Sequence, residues 1–207
     1  MSDIAIAVIG ASWGGLAAVS QLLAALPAGF SIPLAIVQHR SSQADNLLAS
    51  LLQDVTALRV VDVEDKEPLE AGSVYIAPAN YHMLVENGYL SLNTDPQVRF
   101  SRPSIDVTFI SAADTYRSRT LGVVLTGAND DGARGLAHIV KLGGRGIVQE
   151  PATAESPTMP LAARKAVPEA EVIDLSEIPA RLIRLSNAPL TVRDVDGDSS
   201  ASREAST

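Results

Sequence analysis

The chain has 207 residues, 46% of them hydrophobic, and a net charge of -8. At ~150 residues per domain the length fits one domain with a short appendage, and an acidic balance without a lysine- or arginine-rich block argues against nucleic acid as the main partner. The absence of cysteine excludes disulfides, thiolate metal sites and a cysteine nucleophile. No basic n-region opens the chain, and no run nears the ~20 apolar residues of a membrane span, so a cytoplasmic protein without membrane insertion is expected.

Short aliphatic, β-branched runs alternate with segments of helical period. Residues 4–9 read as the first strand. A helix follows, with Leu16, Val19, Leu22, Leu23 and Leu26 on one face, stopped by Pro27 and Gly29. Residues 34–38 form the second strand, residues 46–53 a helix, and residues 59–63 and 73–77 two more strands. At 83–92 the pattern changes: Asn87-Gly88 between two alternating runs predicts a hairpin. Pro103 and Ser104 open a helix whose Ile105, Phe109, Ala113 and Tyr116 share a face. A buried strand at 121–125 and a helix from about 131 to 142 come next. Strands at 146–149 and 171–175 and a helix at 177–185 close the pattern.

Strand–helix alternation predicts βαβ units. The expected fold is α/β: a doubly wound, three-layer domain with a mainly parallel sheet and an inserted β-hairpin, over residues 1–185. Residues 186–207 are rich in Ser, Asp and Ala and are expected to form a flexible tail.

In open α/β sheets, ligands sit beyond the carboxyl ends of the strands. After the first strand comes Gly10-Ala11-Ser12-Trp13-Gly14-Gly15, after the second His39, and after the 121–125 strand Ala128-Asn129-Asp130-Asp131-Gly132. A serine hydroxyl becomes a nucleophile when a histidine takes its proton, and a carboxylate fixes the imidazole tautomer. One sheet edge therefore offers a complete set: Ser12, His39 and an aspartate.

Each residue alone has a plainer role. Ser12 fits a helix N-cap as well as the G-x-S-x-G turn that presents a nucleophile. Asp130 and Asp131 both suit the first turn of a helix, where the dipole favours a carboxylate, and the residues by themselves leave the choice between them open. Among the three histidines, His82 stands near the hairpin as a groove candidate and His138 falls mid-helix. No zinc or EF-hand spacing is present. The chain order Ser, His, Asp differs from the Ser, Asp, His order of ordinary α/β-hydrolases.

Six separated segments carry a more specific signal: VIGASWGG (8–15), IVQH (36–39), YIAPANYHMLV (75–85), SRPSIDVTFISAA (101–113), VVLTGANDDGARG (123–135) and QEPATAESPTMPLAA (149–163). Together they resemble the catalytic domain of the CheB-type protein-glutamate methylesterases of bacterial chemotaxis, over about residues 4–185. The resemblance implies a catalytic triad of Ser12, His39 and Asp131, so it selects Asp131 over Asp130. It implies hydrolysis of glutamate methyl esters and deamidation of glutamines on chemoreceptor cytoplasmic domains, using water and no cofactor. Backbone N–H groups of Trp13 and Ala128 are the implied oxyanion donors.

The sequence departs from the family where threonine usually follows the serine, here Trp13, and where Met-Gly-Asn usually precedes the aspartate, here Ala128-Asn129-Asp130. Typical members also carry an N-terminal receiver domain, and this sequence starts at the catalytic domain, as expected of a stand-alone member or a piece of a larger system. Two competing functions remain at this point: a non-catalytic receptor- or signalling-protein-binding module that retains the fold, and a phosphate-binding domain using the loop at 10–15.

Overall fold

The computed structural model describes residues 3–39 and 47–187. Ile6–Ala11 (β1) is buried at every position, as a continuous aliphatic run between two helical layers requires. Gly15–Ala24 (α1) follows, then Leu34–Gln38 (β2), Leu48–Gln53 (α2), Arg59–Asp62 (β3), Glu67–Pro68 (β4) and Ser73–Ile76 (β5). His82–Glu86 (β6) and Tyr89–Asn93 (β7) pair antiparallel across the Asn87-Gly88 turn. The chain continues through Ile105–Tyr116 (α3), Thr120–Val124 (β8), Ala133–Lys141 (α4), Arg145–Gln149 (β9), Thr158–Ala166 (α5), Glu171–Ile173 (β10) and Ile178–Ser186 (α6).

Among the described residues the main sheet has the order β10-β9-β8-β1-β2-β5-β3, and its neighbours pair in parallel. The first half of the chain fills the sheet outward from β1 on one side. The second half returns to β8 and fills the other side. The strand order therefore reverses between β1 and β8, which leaves a crevice at their carboxyl ends. This is the expected doubly wound, three-layer fold. The hairpin is also as expected, with β4 added as a third strand.

Each face of the sheet buries its own apolar layer. On one, Leu22 and Leu23 of α1, Leu52 of α2 and Leu182 and Leu185 of α6 cover Ile9, Ile36 and Val123. On the other, Ile105 and Phe109 of α3, Leu136 and Ile139 of α4 and Met159 of α5 cover Val8, Val37 and Val124. The hairpin is tied to α3 by side chains: Thr108 Oγ1 donates to Met83 O (2.6 Å), Ser111 Oγ accepts from Val85 N–H (2.9 Å), and Thr115 Oγ1 donates to Val85 O (2.9 Å).

Four expectations need correction. The first strand runs through Gly10 and Ala11 instead of ending at Ile9. A Cβ on Gly10 would stand 2.4 Å from Ile105 Cγ2, so this glycine serves the approach of α3 and not a turn. Leu16 lies off the buried face of α1 and is exposed. Helix α5 has no counterpart in the sequence reading. Ser186 belongs to α6, where it is buried and its hydroxyl donates to Ile183 O (2.8 Å). The rest of the expected tail, from 188 onward, and the first residue of the expected helix at 46–53 lie outside the described residues. No helix among the described residues is long and apolar enough to cross a membrane.

Candidate active site

Because β1 ends at Ala11, Ser12 is the first residue beyond the strand. Its N–H donates to Thr126 O on the neighbouring β8 side (3.0 Å). Gln38, the last residue of β2, donates through Nε2 to both Ser12 O (2.8 Å) and His39 O (2.9 Å). Thr126 Oγ1 donates to Trp13 O (2.9 Å). The loop after β1 is thus held by the two strands that flank it. It turns at Gly14, whose φ of 76° lies in the left-handed region that glycine favours. The same residue is the N-cap of α1, so Ser12 does not cap the helix.

His39 follows β2 directly, and its N–H donates to Ala11 O (3.0 Å). Its Nε2 lies 2.9 Å from Asp131 Oδ2. Asp131 follows β8 but is not in α4. Its buried carboxylate crosses to the N-terminus of α3. Oδ2 also accepts Ile105 N–H (2.7 Å), while Oδ1 accepts Asp106 N–H (2.9 Å), Ser104 Oγ–H (3.1 Å) and Gly132 N–H (3.0 Å). Burial by itself pushes this carboxyl up, but the hydrogen bonds from His39 and from the Asp106 and Ile105 N–H groups outweigh it and hold the group below its ordinary value. It is a carboxylate, an acceptor only, so Nε2 of His39 carries the proton.

The other ring nitrogen is fixed by a residue that the sequence reading did not single out. Asn129 Oδ1 accepts Asp131 N–H (3.1 Å), which leaves its Nδ2 to face His39 Nδ1 at 3.2 Å. Since the amide Nδ2 can only donate, Nδ1 accepts, and the imidazole is neutral. The spacing of Asn129 two residues before Asp131 is an Asx-turn signal that could have pointed to it.

Ser12 and His39 line one cavity of about 660 Å³, together with Trp13, Ala128, Gln38 and Glu155. The indole of Trp13 is 67% exposed. Among the described residues the Ser12 hydroxyl and the N–H groups of Trp13 and Ala128 have no hydrogen-bond partner. The residues that carry these groups line the cavity beside an imidazole that is backed by a carboxylate.

The remaining candidates lie elsewhere. Asp130 is exposed and pairs with Arg99, which holds its carboxyl below the ordinary value through a hydrogen bond. His82 is buried between Ser104 N–H, accepted by Nδ1 (3.2 Å), and Pro96 O, 3.2 Å from Nε2; it is a packing residue, not part of a groove. His138 bonds Asp114 on the surface (2.7 Å). Among the described residues no cluster of three His, Asp or Glu side chains could hold a metal ion. The sequence reading also missed Asp106, whose Oδ1 accepts Gly132 N–H (2.9 Å) and Gly135 N–H (2.8 Å) at the start of α4.

The chain matches the model of the CheB methylesterase family over residues 7–182. It is 42% identical over 187 residues to a Leptospira interrogans protein named for protein-glutamate methylesterase/protein-glutamine glutaminase activity, covering 90% of this chain and 97% of that one. It is 42% identical over 177 residues to the protein-glutamate methylesterase FrzG of Myxococcus xanthus, covering 85% of this chain and 53% of the relative. The crystal structure of the Thermotoga maritima CheB methylesterase catalytic domain superposes with a TM-score of 0.84 at 32% identity, covering 88% of this chain and 98% of that one.

Proposed function

The chain belongs to the CheB methylesterase family, and from that premise we propose that it hydrolyses glutamate methyl esters, and deamidates glutamines, on the cytoplasmic domains of chemoreceptors or related signalling proteins, with Ser12, His39 and Asp131 as its catalytic triad. The observation that carries the reading is the His39 Nε2–Asp131 bond of 2.9 Å, which leaves Nδ1 as the basic nitrogen of a ring that shares a cavity with Ser12.

Ser12 Oγ attacks the ester carbonyl as its proton passes to His39 Nδ1. The new C–O bond pushes the carbonyl electron pair onto oxygen, and the Trp13 and Ala128 N–H groups receive that charge. Such donors depend on the backbone and not on the side chain, so they tolerate tryptophan and alanine at these positions. Asp131 stabilises the imidazolium without taking its proton. Collapse of the intermediate expels methanol, protonated from His39. Water, deprotonated by the same nitrogen, then attacks the acyl-enzyme and frees Ser12 and the glutamate carboxylate. With a glutamine substrate the first leaving group is ammonia. Every step uses side chains of this chain and water.

The location that fits such substrates is the cytoplasm. The catalytic unit in this reading runs through α6 to Asn187, and residues 188–207 lie outside the chemistry. The direct test is release of methanol from a methylated receptor fragment. Release by the wild-type chain and none by Ser12→Ala is expected. Binding of the fragment without release by either protein would instead fit a module that keeps the fold without the chemistry.

A further inference from the structure

Asn129 occupies the nitrogen that the reaction needs. Its Nδ2 lies 3.2 Å from His39 Nδ1, and its Oδ1 is anchored 3.1 Å from Asp131 N–H. The imidazole is therefore clamped on both sides: Nε2–H is given to Asp131, and the Nδ1 lone pair is occupied by an amide. The Ser12 hydroxyl has no hydrogen-bond partner among the described residues, although it lines the same cavity. One lone pair cannot accept two good hydrogen bonds in the same direction. For Ser12 to hand its proton to Nδ1, the Asn129 bond has to open.

We propose that Asn129 is a positioning residue that latches the resting base: it locks the neutral Nε2–H tautomer of His39 and must release Nδ1 before Ser12 can be acylated. The proposal rests on the assignment of His39 as the general base. The amide bond to Nδ1 exchanges for the Ser12 O–H···Nδ1 bond; the proton then follows as the Oγ–carbonyl bond forms. The latch keeps the imidazole in the productive tautomer without substrate, at the expense of one hydrogen bond on the way to the transition state.

The test uses the full chain, a fluorophosphonate probe that reacts at serine, and ¹⁵N NMR of the His39 ring. Asn129→Ala removes the latch and should label Ser12 faster, by about three- to tenfold, the range of one net hydrogen bond. Its Nδ1 resonance should move to that of an imine nitrogen without a donor. Asn129→Asp keeps the Oδ acceptor for Asp131 N–H but sets a carboxylate against Nδ1. That carboxylate draws a proton onto Nδ1, so labelling should fall at least tenfold. If Asn129 served only the turn, Asn129→Asp would behave as wild type and Asn129→Ala would be slower. That pattern, or an unmoved Nδ1 resonance in Asn129→Ala, overturns the latch. Circular dichroism identifies an unfolded Asn129→Ala, in which case Asn129→Asp decides by its rate. Labelling that depends on His39 but not on residue 129 refutes the latch alone. Labelling of His39→Ala at the wild-type rate refutes the base assignment, and the latch with it.

Discussion

Asp131 and Asp106 are exchanged between two helices: the Asp131 carboxylate, which precedes α4, accepts the first N–H groups of α3, and the Asp106 carboxylate, inside α3, accepts Gly132 and Gly135 N–H at the start of α4. Each helix start is satisfied by the other's aspartate. The two differ in what charge does for them. Burial pushes Asp106 up, the nearby Asp131 adds to this, and the two N–H bonds only partly offset it; its Oδ2 is buried without a hydrogen bond. What α4 needs from Asp106 is one acceptor oxygen, not a charge. Asp106→Asn should therefore change stability by about 1 kcal/mol or less. Asp106→Ala leaves the buried Gly135 N–H unsatisfied, while Gly132 N–H keeps Asp131 Oδ1 (3.0 Å), and should lose about 2 kcal/mol. Urea unfolding of both variants at neutral pH measures the difference.

The depressed Asp131 carboxyl ties stability to acid. A group held below its unfolded value, here 3.8, contributes stability that is fully present above that value and is lost as pH falls through the folded one. Wild-type stability should therefore fall along a limb that starts near pH 3.8. Asp131→Asn should lack that part of the limb and be less stable at neutral pH. Unfolding free energies from pH 7 downward test this; parallel curves for the two proteins would contradict it.

Neighbouring aspartates should differ sharply in turnover. Ser12→Ala, His39→Ala and Asp131→Asn should each lose several orders of magnitude, since triad members act as a unit. Asp130→Asn should retain most of the activity, because that carboxylate pairs with Arg99 at the surface and does not reach His39. Equal damage from the two asparagine substitutions, measured as ester turnover, would reverse the assignment.

Trp13 is the only tryptophan, and its exposed indole lines the cavity beside Ser12. Adding a receptor fragment to Ser12→Ala should shift or quench its emission without turnover. Trp13→Thr should weaken binding of the fragment while changing stability by about 0.5 kcal/mol or less, as usual for an exposed position. Unchanged emission together with unchanged affinity would place the indole outside the bound substrate.

Residues 188–207 should be dispensable. A chain ending at Asn187 keeps the whole of α6, including the buried Ser186, and should turn over a soluble ester at the full-length rate. A large loss of rate with an intact fold would bring the segment into the chemistry.

Much of this was legible in the residues because period and position are local properties. The aliphatic runs read as the strands, Asn87-Gly88 as the hairpin, and the positions after strands pointed to Ser12, His39 and an aspartate, with Asp131 preferred to Asp130 only through the family resemblance. Helix α5 was hidden by Pro160, which reads as a breaker although it lies in the first turn, where the missing N–H does no harm. The exchange of Asp106 and Asp131 was illegible for a different reason. A carboxylate beside a helix start suggests that helix, and only the docking of α3 against α4 shows that each serves the other. Asn129 stood out only as part of a departure from the family; its bond to His39 was not legible because the two are 90 residues apart in the chain.

The reversal of strand order between β1 and β8 has a consequence for assembly. Ser12, Trp13 and His39 come from the stretch before the exposed segment 94–97, and Ala128, Asn129 and Asp131 from the stretch after it. The site is a seam between two pieces of chain, and neither piece inherits a working set. With the triad proposed above, hydrolysis would report that the pieces have docked, and a chain divided within 94–97 would be silent until its fragments find each other.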